Sequence, residues 1–311
     1  MMHMMLAGAL GMDQHAKVTN TLELDITILE QNPFMSAADL DAVGMPGSTT
    51  SCDERDMFQA CRHMGEVGSG LTLLGMHNGR VRLAGVTDNG PDAIPCEDLT
   101  NAGMPGMFST SEGRGFQLPT FSPTFMEFEV DSAFGSALFT KITNMKTTAG
   151  TAVTGKSNDP SVYGEIYGPG CNSNEDFDAG GLDPEDLALM PGGTVYVMVE
   201  EYSPSVFFVD RASGKVLSRY VPAGVAVDAM SAHYPSYATL PGVLKGRRAN
   251  RGFEGVALMG ADKTTVVAMM QSPMYRGEDQ SSMQMRVITM DVRRATQPAR
   301  AALRGPHLSV C

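Results

Sequence analysis

Two stretches of the chain repeat one pattern, and that repeat narrows the possible folds more than any single motif does. Residues 183–220 run as an acidic loop, an apolar strand, a Pro-Gly-Gly turn, a strand, an acidic turn, a strand, a Ser-Gly turn and a strand. Residues 253–291 begin with Phe-Glu-Gly and follow the same order. Each unit is about 40 residues long, the period of a four-stranded propeller blade. Composition agrees: 34 Gly, 18 Pro, 7% aromatic residues and no Trp predict many short strands joined by turns. Period-2 alternation and turn residues predict strands at 71–74, 79–86, 126–130, 194–199, 206–210, 216–221, 256–258, 264–269 and 285–291. The expectation is an all-β protein, a β-propeller with about four to five recognisable blades over residues 66–292. Residues 1–65 are weakly organised, although 21–29 alternates like a strand and 52–64 reads as a short helix or loop. Residues 293–311 form a basic tail without strand patterning.

Charge and cysteine usage exclude several classes. A formal net charge of −12 argues against nucleic acid as a partner, because phosphate backbones are held by clustered Lys and Arg. No apolar run approaches the roughly 20 residues that span a membrane. The opening 1–12 stretch lacks the cationic region of a secretory signal. Cys52, Cys61, Cys96, Cys171 and Cys311 are scattered without CxxC spacing, which leaves room for one bridge but indicates neither a zinc site nor a disulfide framework. The six histidines are dispersed without metal-binding spacing.

An ordered series of segments resembles the phytase-like family, also described by its esterase-like activity. Residues 86–92 (VTDNGPD) resemble its Asp-x-Gly-Pro turn and 116–124 (FQLPTFSPT) its Leu-Pro-x-Phe-x-Pro segment. Residues 181–187 (GLDPEDL), 200–206 (EEYSPSV), 219–224 (RYVPAG), 240–257 (LPGVLKGRRANRGFEGVA) and 271–273 (QSP) continue it in order. Asp186 and Ser203 stand where the family has glycine, and Asn89 where many relatives place Arg. The resemblance implies a propeller hydrolase of phosphate or carboxylic esters, a small-molecule substrate and an extracellular or periplasmic-type location. Relatives continue past the Gln-Ser-Pro blade, so the ring is expected to lack one or two blades.

Candidate site residues follow from the repeat and the resemblance together. Glu185 and Glu254 hold the same place in the two units, just before an inner strand, and Asp183 precedes the first by two residues. Carboxylates converging from several blades repel one another unless a cation or arginines compensate them. A hard, oxygen-seeking divalent ion, calcium above all, suits such a set. Asp183, Glu185 and, through the resemblance, Asp88 are the expected metal ligands. Lys245, Arg247, Arg248 and Arg251 place four cations within seven residues. Arg247, Arg248 and Arg251 are the expected substrate-binding residues, because a guanidinium forks onto phosphate or carboxylate. Alternation sends only one of Glu200 and Glu201 into the site, and the family pattern selects Glu201 as general base. Glu254 joins it as a catalytic residue, with Tyr202 holding substrate. The structural alternative for each acid is a turn cap, and for the arginines a charge-neutralising loop.

Two further patterns are weaker. Asn172, Asn174, Asp176 and Asp178 alternate like a calcium loop, but Phe177 stands where the turn glycine belongs, so a solvated loop is expected. Residues 150–157 (GTAVTGKS) fit the spacing of a phosphate-binding loop through Gly155 and Lys156. That loop needs a following helix, which Asn158, Asp159 and Pro160 oppose. A non-catalytic binding or scaffold propeller, degenerate or truncated, is the rival reading from another class.

Overall fold

The computed structural model describes residues 67–90, 94–95, 114–115, 121–131, 137–158, 177–248, 250–274, 284–292 and 308–310. The 21–29 and 52–64 segments, the five cysteines, Asn172, Asn174 and Asp176 lie outside them. Strands β1 (Val67–His77) and β2 (Arg80–Thr87) form a hairpin. Its Asn78-Gly79 turn has φ of 49° and 76°, the left-handed pair that matches strand twist. A two-stranded insert, β3 (Ile94–Pro95) with β4 (Arg114–Gly115), precedes β5 (Thr124–Asp131) and β6 (Ala137–Asn144), giving a first sheet in the order β1-β2-β5-β6.

The second sheet is the antiparallel meander β7 (Pro184–Leu189), β8 (Val195–Glu200), β9 (Ser205–Asp210) and β10 (Val216–Pro222). After one helical turn, α1 (Asp228–Ser231), β11 (Ser236–Leu240) adds parallel to β10. A 3-10 turn (Gly242–Gly246) leads to the third sheet, β12 (Phe253–Met259), β13 (Thr265–Met270), β14 (Val287–Asp291) and β15 (Leu308–Val310). The all-β expectation holds, and the two repeated units are the second and third sheets. The basic tail differs from its reading: β15 lies within it and pairs antiparallel with β14. Three residues of pairing are too few for alternation to register in the sequence.

The central strands of the middle sheet, β8 and β9, are buried on both faces, which is why they read as nearly unbroken apolar runs. Along β8, Val197 and Val199 face a core shared with Phe253, Val266, Ala268 and Ile288 of the third sheet. Tyr196 and Met198 face the opposite core with Ala84, Val86 and Phe125 of the first. The first strands of all three sheets come together, with β7 against both β1 and β12.

A partly buried ion pair clamps the first two sheets. Arg211, in the turn after β9, donates from Nε to Glu127 Oε1 at 2.7 Å and from Nη2 to Oε2 at 2.5 Å, and the Tyr196 hydroxyl donates to Oε1 at 3.2 Å. Burial works to raise the Glu127 carboxyl, but Arg211, with the Tyr196 hydroxyl and Lys141, outweighs it and holds the group below its usual range. Its stabilisation is therefore present above the ordinary carboxylate range and lost as pH falls through the lowered value. Arg211→Met should cost about 2 kcal/mol in urea denaturation at pH 7. The deficit should shrink in acid.

Candidate active site

The start of an antiparallel sheet's first strand and the end of its second lie at the same edge, so three sheets with adjacent first strands bring six such positions together. Glu185 is the second residue of β7 and Glu254 the second of β12, inside the strands rather than just before them. Both are bulged: Pro184 pairs with Glu200 and Asp186 with Val199, and Phe253 pairs with Met270 and Gly255 with Met269, which leaves each glutamate without a ladder partner. A bulge breaks alternation and re-aims the side chain. The first sheet is irregular at the same place, between Val67 and Gly70. Directly after the second strands come Asp88, Glu201 and Gln271.

Five carboxylates meet there. One oxygen from each of Asp88, Asp183 and Glu185 lies within 4.8 Å of the others, and Glu185, Glu201 and Glu254 form a second such group. Asp183 is 1% exposed, and neither of its buried oxygens has a hydrogen-bond partner. Burial, then the charges of Asp88, Glu185 and Glu201, push its carboxyl far above the usual range. Glu185 is pushed up to about 10, first by burial and then by Asp88, Glu201 and Glu254. Glu254, at the exposed rim, is raised by burial and Asp88 against opposition from Arg251 and a Gln271 hydrogen bond. Without a compensating cation, several of these groups must hold protons at neutral pH. Hard oxygen donors and an orphaned buried carboxylate fit a divalent ion such as calcium.

Glu200 and Glu201 part company as alternation requires. Glu200 is fully buried and ion-paired with the equally buried Arg219, and it accepts from Ser205 and Asn158. Glu201 joins the carboxylates, 3.5 Å from Arg251 Nη1. The four neighbouring cations also separate. Arg251 stands at the carboxylate centre, whereas Lys245 and Arg247 line a different cavity, and Arg248 is half-buried. Tyr202 is buried, donates its hydroxyl to the Gly155 carbonyl at 3.0 Å and accepts from Asn89 Nδ2 at 2.6 Å. It thereby ties down the loop that carries Asp88.

The phosphate-loop spacing is a coincidence. Residues 153–158 are not helical, and the Gly155 N–H is donated to Phe121 O at 3.0 Å. A Cβ on Gly155 would sit 1.6 Å from the Asn89 carbonyl oxygen, so that glycine serves close packing under the Asp88 loop. Asp178 accepts from Thr154 Oγ1 at 2.7 Å and from the Gly180 N–H at 2.8 Å, as a turn residue does.

The profile of the family described as "Phytase-like: Esterase-like activity of phytase" matches residues 112–305, more than half of the sequence. The chain belongs to this phytase-like family. The match begins after Asp88 and extends through most of the basic tail, beyond the 66–292 span of the sequence resemblance. No curated protein matches this phytase-like chain. Among solved structures, a mutant of the GH43 protein BlXynB from Bacillus licheniformis is similar at 11% identity, over 71% of this chain and 27% of that one. Its TM-score of 0.25 is too low to inform the fold. Among the described residues no helix is long and apolar enough to cross a membrane.

Gln271, Arg219 and Asp186 were not among the site residues expected from sequence. The position after each second strand is the signal that would have found Gln271. Asp186, in place of the family glycine, accepts from the Val256 N–H of the neighbouring sheet at 2.8 Å, and burial raises it to about 6. Gly252 packs on the backbone of Glu201, where a Cβ would come within 2.1 Å of its carbonyl oxygen. Gly252→Ala should therefore displace Glu201 and cost about 2 kcal/mol, read by thermal and urea unfolding beside the metal response.

Proposed function

We propose that this phytase-like chain is a propeller hydrolase of phosphate or carboxylic esters, with its three sheets as blades and its centre at the five carboxylates. The observation that supports this reading most is Asp183, a buried carboxylate whose two oxygens have no hydrogen-bond partner, set among other acids. Asp88, Asp183 and Glu185 would hold a divalent cation, with calcium favoured by the all-oxygen donor set. When bound, the cation supplies charge that lets neighbouring carboxylates ionise together, and Lewis acidity that makes water a nucleophile near neutral pH. Glu201, buried and held by Arg251, takes the proton from the attacking water. Glu254, whose raised affinity for a proton suits a donor, returns one to the departing alcohol oxygen. Arg251, at the rim, orients the anionic end of the substrate. Tyr202 is a positioning residue for the Asp88 loop.

Metal-stripped and calcium-loaded protein should be assayed on p-nitrophenyl phosphate, p-nitrophenyl acetate and inositol hexakisphosphate. Hydrolysis with calcium, falling at least about 100-fold in Glu254→Gln, is expected. A calcium response without hydrolysis of any ester would reduce the reading to a metal-dependent binding propeller. Full activity in Glu254→Gln would remove that residue from the chemistry.

A further inference from the structure

Each of the three first strands, β1, β7 and β12, lies at the edge of its sheet, and each resumes regular pairing just beyond an irregularity. The residues at which pairing resumes are Gly70 opposite Val86, Asp186 opposite Val199 and Gly255 opposite Met269. Their partners establish the equivalence, since Val86, Val199 and Met269 stand two positions before Asp88, Glu201 and Gln271. Of the three equivalent positions, only the one in the middle sheet carries a side chain.

That side chain occupies the space the two glycines leave. A Cβ on Gly70 would come within 2.5 Å of Asp186 Cα and Oδ1, and a Cβ on Gly255 would stand 4.0 Å from Oδ2. The Asp186 carboxylate therefore lies where the three first strands meet. Both of its oxygens are engaged: Oδ1 accepts the N–H of Leu187 and Oδ2 the N–H of Val256, each at 2.8 Å. The first bond is local and fixes the side chain on β7. The second crosses to β12, where an edge strand has N–H groups that no ladder partner takes up. With both oxygens committed to N–H donors, Asp186 is built as a tether and not as a sixth ligand.

The tether sits beside the two bulged glutamates. Glu185 directly precedes Asp186 on β7, and Glu254 lies two residues before Val256 on β12. One oxygen of Glu185 and one of Glu254 lie within 4.8 Å of each other, although neither residue has a ladder partner to hold it and two carboxylates at that distance repel. We propose that Asp186 is a positioning residue, which ties β7 to β12 through Val256 and so sets the spacing of Glu185 and Glu254. The inference rests on the ester-hydrolase reading for what that spacing serves: it holds the proton donor Glu254 against a substrate at the cation.

The test compares the full chain with Asp186→Gly, which introduces the residue that the other two sheets already carry at this position. In metal-free protein, amide exchange at Val256 should accelerate at least about tenfold, and in crystals the nearest Glu185 and Glu254 oxygens should part beyond 4.8 Å. At calcium concentrations that saturate each variant, kcat on the p-nitrophenyl ester that the parent hydrolyses should fall about tenfold with KM unchanged. Asp186→Gly combined with Glu254→Gln should be no slower than Glu254→Gln alone, because Asp186 acts through Glu254. A purely structural role would lower the unfolding free energy and leave kcat of the folded enzyme as it is. The proposal is overturned if Val256 exchange and the glutamate spacing match the parent, if kcat is unchanged, or if the two losses multiply. A parent that hydrolyses no ester would overturn the hydrolase reading instead, and the exchange at Val256 with the glutamate spacing would still decide the tether.

Discussion

Arg219→Met is expected to remove about 3–5 kcal/mol of unfolding free energy in urea at pH 7, the largest loss from any one substitution discussed for this chain. Its guanidinium is fully buried and meets Glu200, Ser205 Oγ at 3.0 Å and the Tyr234 hydroxyl at 3.4 Å. Methionine fills much of the volume but leaves Glu200 as a buried charge with only neutral partners. Burial already raises the Glu200 carboxyl despite Arg219. Removing the arginine raises it further, so the mutant regains stability as pH falls and Glu200 takes up a proton. The double variant Arg219→Met with Glu200→Leu should recover most of the loss, because an apolar pair has no desolvated charge to strand. A loss under 1 kcal/mol in the single variant, or none of the recovery in the double, would contradict this account. The site would feel the change too: the Asp183 N–H donates to Glu200 Oε2 at 3.4 Å, so the pair underlies the edge that carries the carboxylates.

The second large effect concerns the response to metal. In metal-free protein, Asp183 and Glu185 have folded-state values raised above the unfolded ones, so the folded state binds more protons than the unfolded. Stability then falls as pH rises from the ordinary carboxylate range toward the value near 10 for Glu185. Calcium at 100 times its dissociation constant should restore about 2.7 kcal/mol. Its binding should tighten with pH, since it displaces protons. Asp183→Asn should abolish the calcium response while leaving the metal-free protein at least as stable as the parent at pH 8.5, because it removes a buried carboxyl that must take up a proton when the metal-free chain folds at that pH. Paired unfolding curves at pH 5 and 8.5, with and without calcium, show both signs at once. A metal-free Asp183→Asn protein that is markedly less stable than the parent would mean that the carboxylate has a structural partner instead.

The sequence displayed the sheets more clearly than the site. The 183–220 and 253–291 repeats were legible because each unit is a series of short apolar strands, with Pro-Gly-Gly and Ser-Gly turns marking reversals in the first. Aligning those repeats was also enough to pair Glu185 with Glu254. What alignment could not show is that both glutamates are bulged, since a bulge is a fact about the partner strand. Arg247 and Arg251 looked like one cluster because they are four residues apart. Between them Asn250, at φ 49°, turns the backbone, and the two guanidiniums serve different surroundings. Arg219 was hidden for a different reason: a lone arginine in a strand reads as a surface residue until its buried partner, 19 positions away, is known.

The bulges at Glu185 and Glu254 separate architecture from chemistry. Each ladder is continuous on either side of its glutamate, so deleting that one residue, rather than replacing it, would close the ladder into a regular pair and withdraw the carboxylate altogether. A sheet of this kind can gain or shed an acidic group by a single-codon insertion or deletion while its core-facing residues keep their register. The acidic rim is thus modular in a way that the packed interior beneath it is not.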